Sequence, residues 1–170
     1  MSPALVVRPE TPADHDAVRR IETAAFDQPD EAALVDALRA DGDAAVSLVA
    51  EQDGVLVGHI LFSSLSIVGA QGALKAVALA PVAVDPARQN QGVGGALIRA
   101  GLDACREAGF EAAVVLGHAD YYPRFGFSAQ AALGLKAPFS GPSFMAIDLR
   151  GQDGAALAGE VRYARAFGLD

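Results

Sequence analysis

The sequence predicts an α/β protein, of the α+β kind, built on one mixed sheet with helices on both faces. Apolar residues recur at helical spacing in three segments, and short apolar runs suited to strands lie between them. Gly, Pro and Asp-Gly signals mark the joins. Read in order these give βααβββαβαββ, an alternation that calls for one sheet covered by helices.

"ALVVRPE" opens as a short strand. "TPADHDAVRRIETAAF" then reads as a helix, with Thr11 as N-cap, Pro12 in the first turn and Asp14 near the positive end of the dipole. Its apolar stripe is Val18, Ile21, Ala25 and Phe26. A second helix, "PDEAALVDALRADG", turns Leu34, Val35 and Leu38 inward and stops at Gly42. "AAVSLVAEQDGVLVGHILFSSLSIVG" gives two strands joined at Asp53-Gly54, a hairpin signal. "ALKAVALAPVAVD" is a buried strand in which Pro81 cannot donate to a ladder, so a bulge or splay is expected. The third helix follows a glycine stretch, ends at Gly109, and aligns Val93, Leu97, Ile98, Leu102 and Cys105 on one face. "FEAAVVLG" is a further buried strand, "HADYYPRFGF" a short helical or turn segment, and "GLKAPFSGPS" a loop. "FMAIDL" and "GEVRYARAF" read as the last two strands.

Composition narrows the function classes. The 170 residues suit a single domain over 1–170 with a substantial core. No apolar run approaches the ~18 residues of a membrane span, and "MSPALVVRPE" lacks the pattern of an export signal. The single cysteine, Cys105, fits a reducing compartment, so a cytoplasmic protein is expected, without a membrane partner. The net charge of −8 is localised: residues 1–53 hold 12 acidic and 4 basic side chains, and the remainder hold 9 of each. Such a surface repels nucleic acid. It is either a solubilising face or one that attracts a cationic substrate.

"ARQNQGVGGALIRAGL" carries the chemistry. Gly92, Gly94 and Gly95 crowd the start of a helix, where unpaired N–H groups meet a positive dipole end. Bare backbone there admits an anion such as a diphosphate, unless the glycines serve only close helix–sheet packing. A Walker loop would need Gly-Lys-Ser/Thr, and a dinucleotide fingerprint would need glycine where Leu97 stands. Neither fits.

"VAVDPARQNQGVGGALI" resembles the acyl-CoA-binding motif of the GCN5-related N-acetyltransferase (GNAT) superfamily, Gln/Arg-x-x-Gly-x-Gly/Ala, here Gln89 to Gly94. "YPRFGF" is similar to its closing Tyr-x-x-x-Gly-Phe element, with Tyr122, Gly126 and Phe127 in register. "VGHILFS" and "LGHADYYPRFGF" resemble the YhbS-like branch of that superfamily. The resemblance implies a mostly antiparallel sheet with a central splay between two parallel strands. It implies acetyl-CoA as cosubstrate, no metal, and acyl transfer to an amine. The strand Val82, Ala83 and Val84 would pair with the pantetheine arm. Gln89, Asn90, Gln91, Gly92, Val93, Gly94, Gly95 and Ala96 would hold the diphosphate. Tyr122 would protonate the departing thiolate, with Tyr121 a weaker candidate one residue out of register.

The residues name no base. His118, His59, Glu22, Glu31 or a water relay could remove the proton that an amine with a pKa near ~10 must lose. His59 otherwise reads as a hydrogen-bonded core histidine, and Glu22 and Glu31 as surface charges. Where many relatives carry Asn, seven residues before the tyrosine, this chain has Val115. Cys105 reads as a buried structural thiol. The expected partner is a small-molecule or peptide amine, cationic if the acidic third is its docking face. A homodimer could form through sheet edges. The alternative reading is a non-catalytic acyl-CoA-binding sensor or partner module.

Overall fold

The computed structural model describes residues 4–70, 72–151 and 157–169. The elements are β1 (Leu5–Pro9), α1 (His15–Phe26), α2 (Asp30–Ala40), β2 (Ala44–Gln52), β3 (Val55–Gly69), β4 (Gly72–Val84), α3 (Val93–Glu107), β5 (Ala112–Leu116), α4 (Ala129–Ala132), β6 (Gly134–Lys136), β7 (Phe144–Asp148) and β8 (Ala158–Arg162). The strands form one eight-stranded sheet of order β1-β2-β3-β4-β5-β7, with β8 pairing β3 and β6. The chain divides into two compact units, each assembled from separated segments.

The first unit comprises Met1–Phe62 and Ala80–Asp103. β1 runs antiparallel to β2, from Leu5 opposite Gln52 to Pro9 opposite Leu48. The β2–β3 turn places both Asp53 (φ 53°) and Gly54 (φ 76°) in the left-handed region, as a two-residue hairpin with primed geometry requires. The alternation of β3 then sorts its neighbours. Gly58 faces Val93 and Leu97 of α3. His59 faces α1, where its Nδ1 lies 2.6 Å from Glu22 Oε2. The two helices therefore cover opposite faces of this unit's strands, with Val18, Leu38, Ile60, Phe62, Leu97 and Ile98 fully buried between the layers.

The second unit comprises Ser63–Leu79 and Ala104–Asp170. β4 pairs β5 in parallel over Ala76–Ala78 and Ala112–Val114, and β4 then continues to Val84. β5 pairs β7 antiparallel from Ala112 opposite Asp148 to Leu116 opposite Phe144. The core contains Leu65, Ile67, Val114, Phe144, Leu157 and Val161, with small residues Ala131 and Ala132 seating α4.

Several sequence expectations need correction. The segment 134–143 is not all loop, because Gly134–Lys136 forms β6, parallel to β8. The last strand stops at Arg162, and Arg165–Phe167 form a 3-10 turn. The first helix begins as a separate 3-10 turn, Pro12–Asp14. Its stripe is also rotated: Phe26 is 39% exposed, while Glu22 is fully buried. Glu22 lies four residues after Val18 and so shares its face; a polar partner replaces the apolar contact expected there.

Asp14 fixes the entry to α1. Its Oδ2 accepts from Thr11 N at 2.8 Å and from Arg8 Nη1 at 2.8 Å, while Oδ1 accepts from Arg8 Nη2 at 3.0 Å. The Arg8 hydrogen bonds hold this carboxyl well below the usual range. A depressed carboxyl stabilises the fold above its unfolded value near ~4, and that contribution disappears as pH falls. Asp14→Asn is expected to cost about 1 kcal/mol at neutral pH. In urea melts the gap from the parent should narrow as pH falls below ~4.

Candidate active site

The glycine loop belongs wholly to the first unit. β4 ends where Asp85 donates its N–H to Val57 O at 2.8 Å. Asp85 Oδ1 then accepts from Ala87 N at 2.9 Å, opening a 3-10 turn at Pro86–Arg88. Gln89 Nε2 donates to Val84 O at 3.2 Å, which ties the loop back to the end of its strand. Asn90 (φ 65°) and Gly92 (φ 84°) adopt left-handed backbone, and Gln89–Gly92 are exposed. α3 starts at Val93, and its first intrahelical bond runs from Ala96 N to Gly92 O at 3.1 Å. The N–H groups of Val93, Gly94 and Gly95 come before that bond, so no carbonyl one turn back can receive them. Together they form a bare, positively polarised helix end suited to an anion. Of the strand residues, Ala83 is buried and Val82 and Val84 are half-buried. The Arg88 guanidinium donates to Gln52 Oε1 at 3.0 Å.

Gly58 is a contributor that sequence reasoning missed. A Cβ there would lie 2.9 Å from Leu97 Cδ1 and Val93 Cγ1, and 3.2 Å from the backbone oxygen of Ala83. Its absence lets the first turn of α3 seat directly on β3. A glycine inside the apolar run "VLVGHILF" was the available signal, since it marks a close backbone approach.

Tyr122 lies in the second unit, at the start of the 3-10 turn Tyr122–Phe125. Its ring lies so close to Gly117 that a Cβ there would sit 2.4 Å from Cε2. Tyr121 and Phe127 meet the ring edge-on, with centroids at 5.2 and 5.9 Å. Tyr122 is 8% exposed, and burial, with Tyr121 second, pushes its phenol above the ordinary value. The phenol therefore stays protonated at neutral pH. Tyr121 is half-buried, with Arg124 4.5 Å from its ring centroid. Val115 is buried and pairs with Met145.

The candidate bases separate sharply. His118 is exposed, and its carbonyl accepts from Tyr121 N and Tyr122 N at 3.1 and 3.3 Å. Glu31 accepts from Gln28 Nε2 at 2.9 and 3.1 Å. Glu22 and His59 are instead brought together in the first unit, both fully buried. His59 Nε2 lies 2.9 Å from Ser47 Oγ, and Ser47 Oγ donates to Glu10 Oε2 at 2.9 Å. Arg39 Nη2 bonds Glu10 Oε1. Desolvation, opposed by the His59 contact, pushes the Glu22 carboxyl upward. Glu22 Oε1 is buried and has no partner. His59 is the bonded core histidine anticipated; Glu22 is not the surface charge anticipated.

Cys105 is fully buried and its thiol is pushed up to about 12 by desolvation, so it is no nucleophile. Among the described residues no group of three His, Cys, Asp or Glu side chains is placed to hold a metal ion. Among them no helix is long and apolar enough to cross a membrane.

Residues 6–129 match the family model described as an acetyltransferase (GNAT) domain. The chain belongs to the GNAT family. It is 44% identical over 133 residues to the uncharacterised N-acetyltransferase YjhQ of Escherichia coli K12, covering 76% of this chain and 74% of that protein. Among solved GNAT structures, it matches YhbS from Escherichia coli in complex with CoA at a TM-score of 0.89 and 32% identity, over 99% of this chain and 94% of that one. A GNAT acetyltransferase from Brucella melitensis in complex with acetyl-CoA matches at a TM-score of 0.79 and 40% identity, over 96% and 98%.

The seat of α3 can be tested by Gly58→Ala. The Leu97 and Val93 methyls can yield, but the Ala83 carbonyl is backbone. A loss of about 1–3 kcal/mol in stability is expected from overpacking, measured by urea melts.

Proposed function

We propose that this protein is an acetyl-CoA-dependent N-acetyltransferase that transfers the acetyl group to a primary amine by direct attack with both substrates bound. The carrying observation is the bare first turn of α3, where Gln89–Ala96 present a loop suited to the CoA diphosphate. In support, the Brucella relative, 40% identical across nearly its whole length, is a complex with acetyl-CoA. Val82–Val84 form the strand assigned to the pantetheine amides, which need backbone partners rather than charges.

Acetyl-CoA supplies an acetyl group on a thiolate leaving group. The amine nitrogen attacks the thioester carbonyl, the C–N bond forms, and the C–S bond breaks with its electron pair on sulfur. The Tyr122 phenol gives its proton to that sulfur, and the proton lost from the amine nitrogen passes through water to restore the phenol. Burial keeps the phenol protonated at rest, as a general acid must be. The acceptor we assign is a cationic small molecule or peptide amine. Asp27 and Asp30 are exposed around the α1–α2 junction, beside the half-buried Glu31. We place the reaction in the cytoplasm, where the Cys105 thiol stays reduced.

Tyr122→Phe is expected to lower kcat about 10²-fold, read as thiol release from acetyl-CoA with an amine present. CoA affinity by calorimetry should stay unchanged; an unaltered rate would favour a binding module without turnover. Replacing Asp27, Asp30 and Glu31 by their amides should raise KM for a polyamine severalfold and leave that of a neutral amine unchanged.

A further inference from the structure

Gly117, the residue after β5, has no backbone reason to be glycine. Its φ lies outside the left-handed region, so the chain there would accept an alanine. The reason is space. An added Cβ would lie 2.4 Å from Cε2, 2.9 Å from Cδ2 and 3.4 Å from Cζ, all in the Tyr122 ring. Cζ carries the hydroxyl, so the glycine lies against the end of the ring that does the chemistry. The backbone is pinned at this point, because Gly117 N donates to Ser143 O at 3.0 Å, next to the start of β7.

The ring's other neighbours are aromatic and belong to the same unit. Phe127, fully buried, meets it at 5.9 Å and 85°, and Tyr121 meets it at 5.2 Å and 83°. Phe127 is held by the core, whereas Tyr121 is only half-buried and needs a separate hold. Arg124 supplies it. Its Nε donates to Tyr121 O at 2.9 Å and its Nη2 to Asp120 O at 3.4 Å, with the guanidinium 4.5 Å from the Tyr121 ring centroid. A planar cation fixed by its own turn thus backs the ring that backs Tyr122.

We propose that Gly117 and Tyr121, the latter braced by Arg124, are positioning residues that set where the Tyr122 hydroxyl lies. The inference rests on the acetyltransferase reading, in which that hydroxyl protonates the departing sulfur. Proton transfer needs the donor within about 3 Å of its acceptor, and these contacts hold the donor's ring from several sides. Carbon atoms in ordinary contact lie about 3.5 Å apart, so a Cβ at position 117 displaces the ring by about 1 Å. A shift of that size is enough to cost about 10²-fold in rate. The two tyrosines then have separate tasks: Tyr122 gives the proton, and Tyr121 gives only its ring.

Gly117→Ala tests this with butylamine, spermidine and lysine as acceptors. We expect kcat to fall about 10²-fold while KM for acetyl-CoA and CoA affinity by calorimetry hold. In the Tyr122→Phe background the same substitution should cost nothing more, because no hydroxyl is left to position. A glycine needed only for folding would lower both backgrounds equally. Tyr121→Leu should lower kcat about tenfold, and the conservative Tyr121→Phe should recover most of that loss. Independently of turnover, carbon NMR of ring-labelled tyrosine should resolve the two ε positions of Tyr122 in the parent. They should merge in Tyr121→Leu, where the ring is freed to flip. Full kcat in Gly117→Ala, additive losses in the double variant, or a Tyr121→Phe protein as slow as Tyr121→Leu overturns these roles. So does a single averaged ε signal in the parent, and each of these results leaves the acetyltransferase reading standing. Full kcat in Tyr122→Phe, or a parent that binds no acetyl-CoA, overturns both.

Discussion

The first unit depends on an end that is left open: the N–H groups of Val93, Gly94 and Gly95, which α3 cannot satisfy from its own backbone. Most helices close such an end with a side-chain cap. Here the preceding residues use their polar groups elsewhere. Gln89 reaches back to Val84 O, Asp85 caps its own turn, and Arg88 turns to Gln52. Each bond stiffens the loop and keeps a side chain off the helix end. The close packing at Gly58 completes this arrangement from below, because the helix that carries the amides rests directly on β3. Rigidity and exposure come from the same contacts.

The same unit accepts a cost in its core that packing alone does not require. Two ionisable side chains, Glu22 and His59, occupy a site where apolar residues of similar volume would be at least as stabilising. Cys105 shows the contrasting case: an isolated buried thiol simply remains protonated. Glu22 is different because its carboxyl is linked through His59 and Ser47 to Glu10, which pairs with Arg39. The network spans α1, α2, β2, β3 and the residue after β1, tying these elements together through buried polar contacts. Among the described residues Glu22 Oε1 and Ser63 Oγ are the buried side-chain oxygens left without a partner.

Much of this was legible in the sequence because local geometry forces it. Asp53-Gly54 must turn where both residues have positive φ, and Gly109 (φ 88°) must end α3. The α3 stripe from Val93 to Cys105 is buried at each expected position. What escaped depends on distant partners. β6 is three residues long and takes its register from β8, so its own periodicity carries no signal. Glu22 looked like surface charge because its reason for burial, His59, lies 37 residues away in sequence. Phe26 looked like core for the converse reason, since a helical stripe records spacing without showing where the helix ends. The glycine loop stands out in the sequence through its bare backbone, and Tyr122 only through its motif. The tight seat of its ring against Gly117 is a tertiary fact that no pattern supplies.

Amide formation from a thioester needs one proton removed and one delivered, and both must be available at the same pH. In water an ammonium and a phenol of similar pKa would give neither transfer an advantage. Burial raises both the Tyr122 phenol and the Glu22 carboxyl, and in both the first cause is desolvation of the charged form. Both groups are therefore held toward their neutral, protonated forms: a phenol in that state still has a proton to give, whereas a protonated carboxyl has no ready place for another.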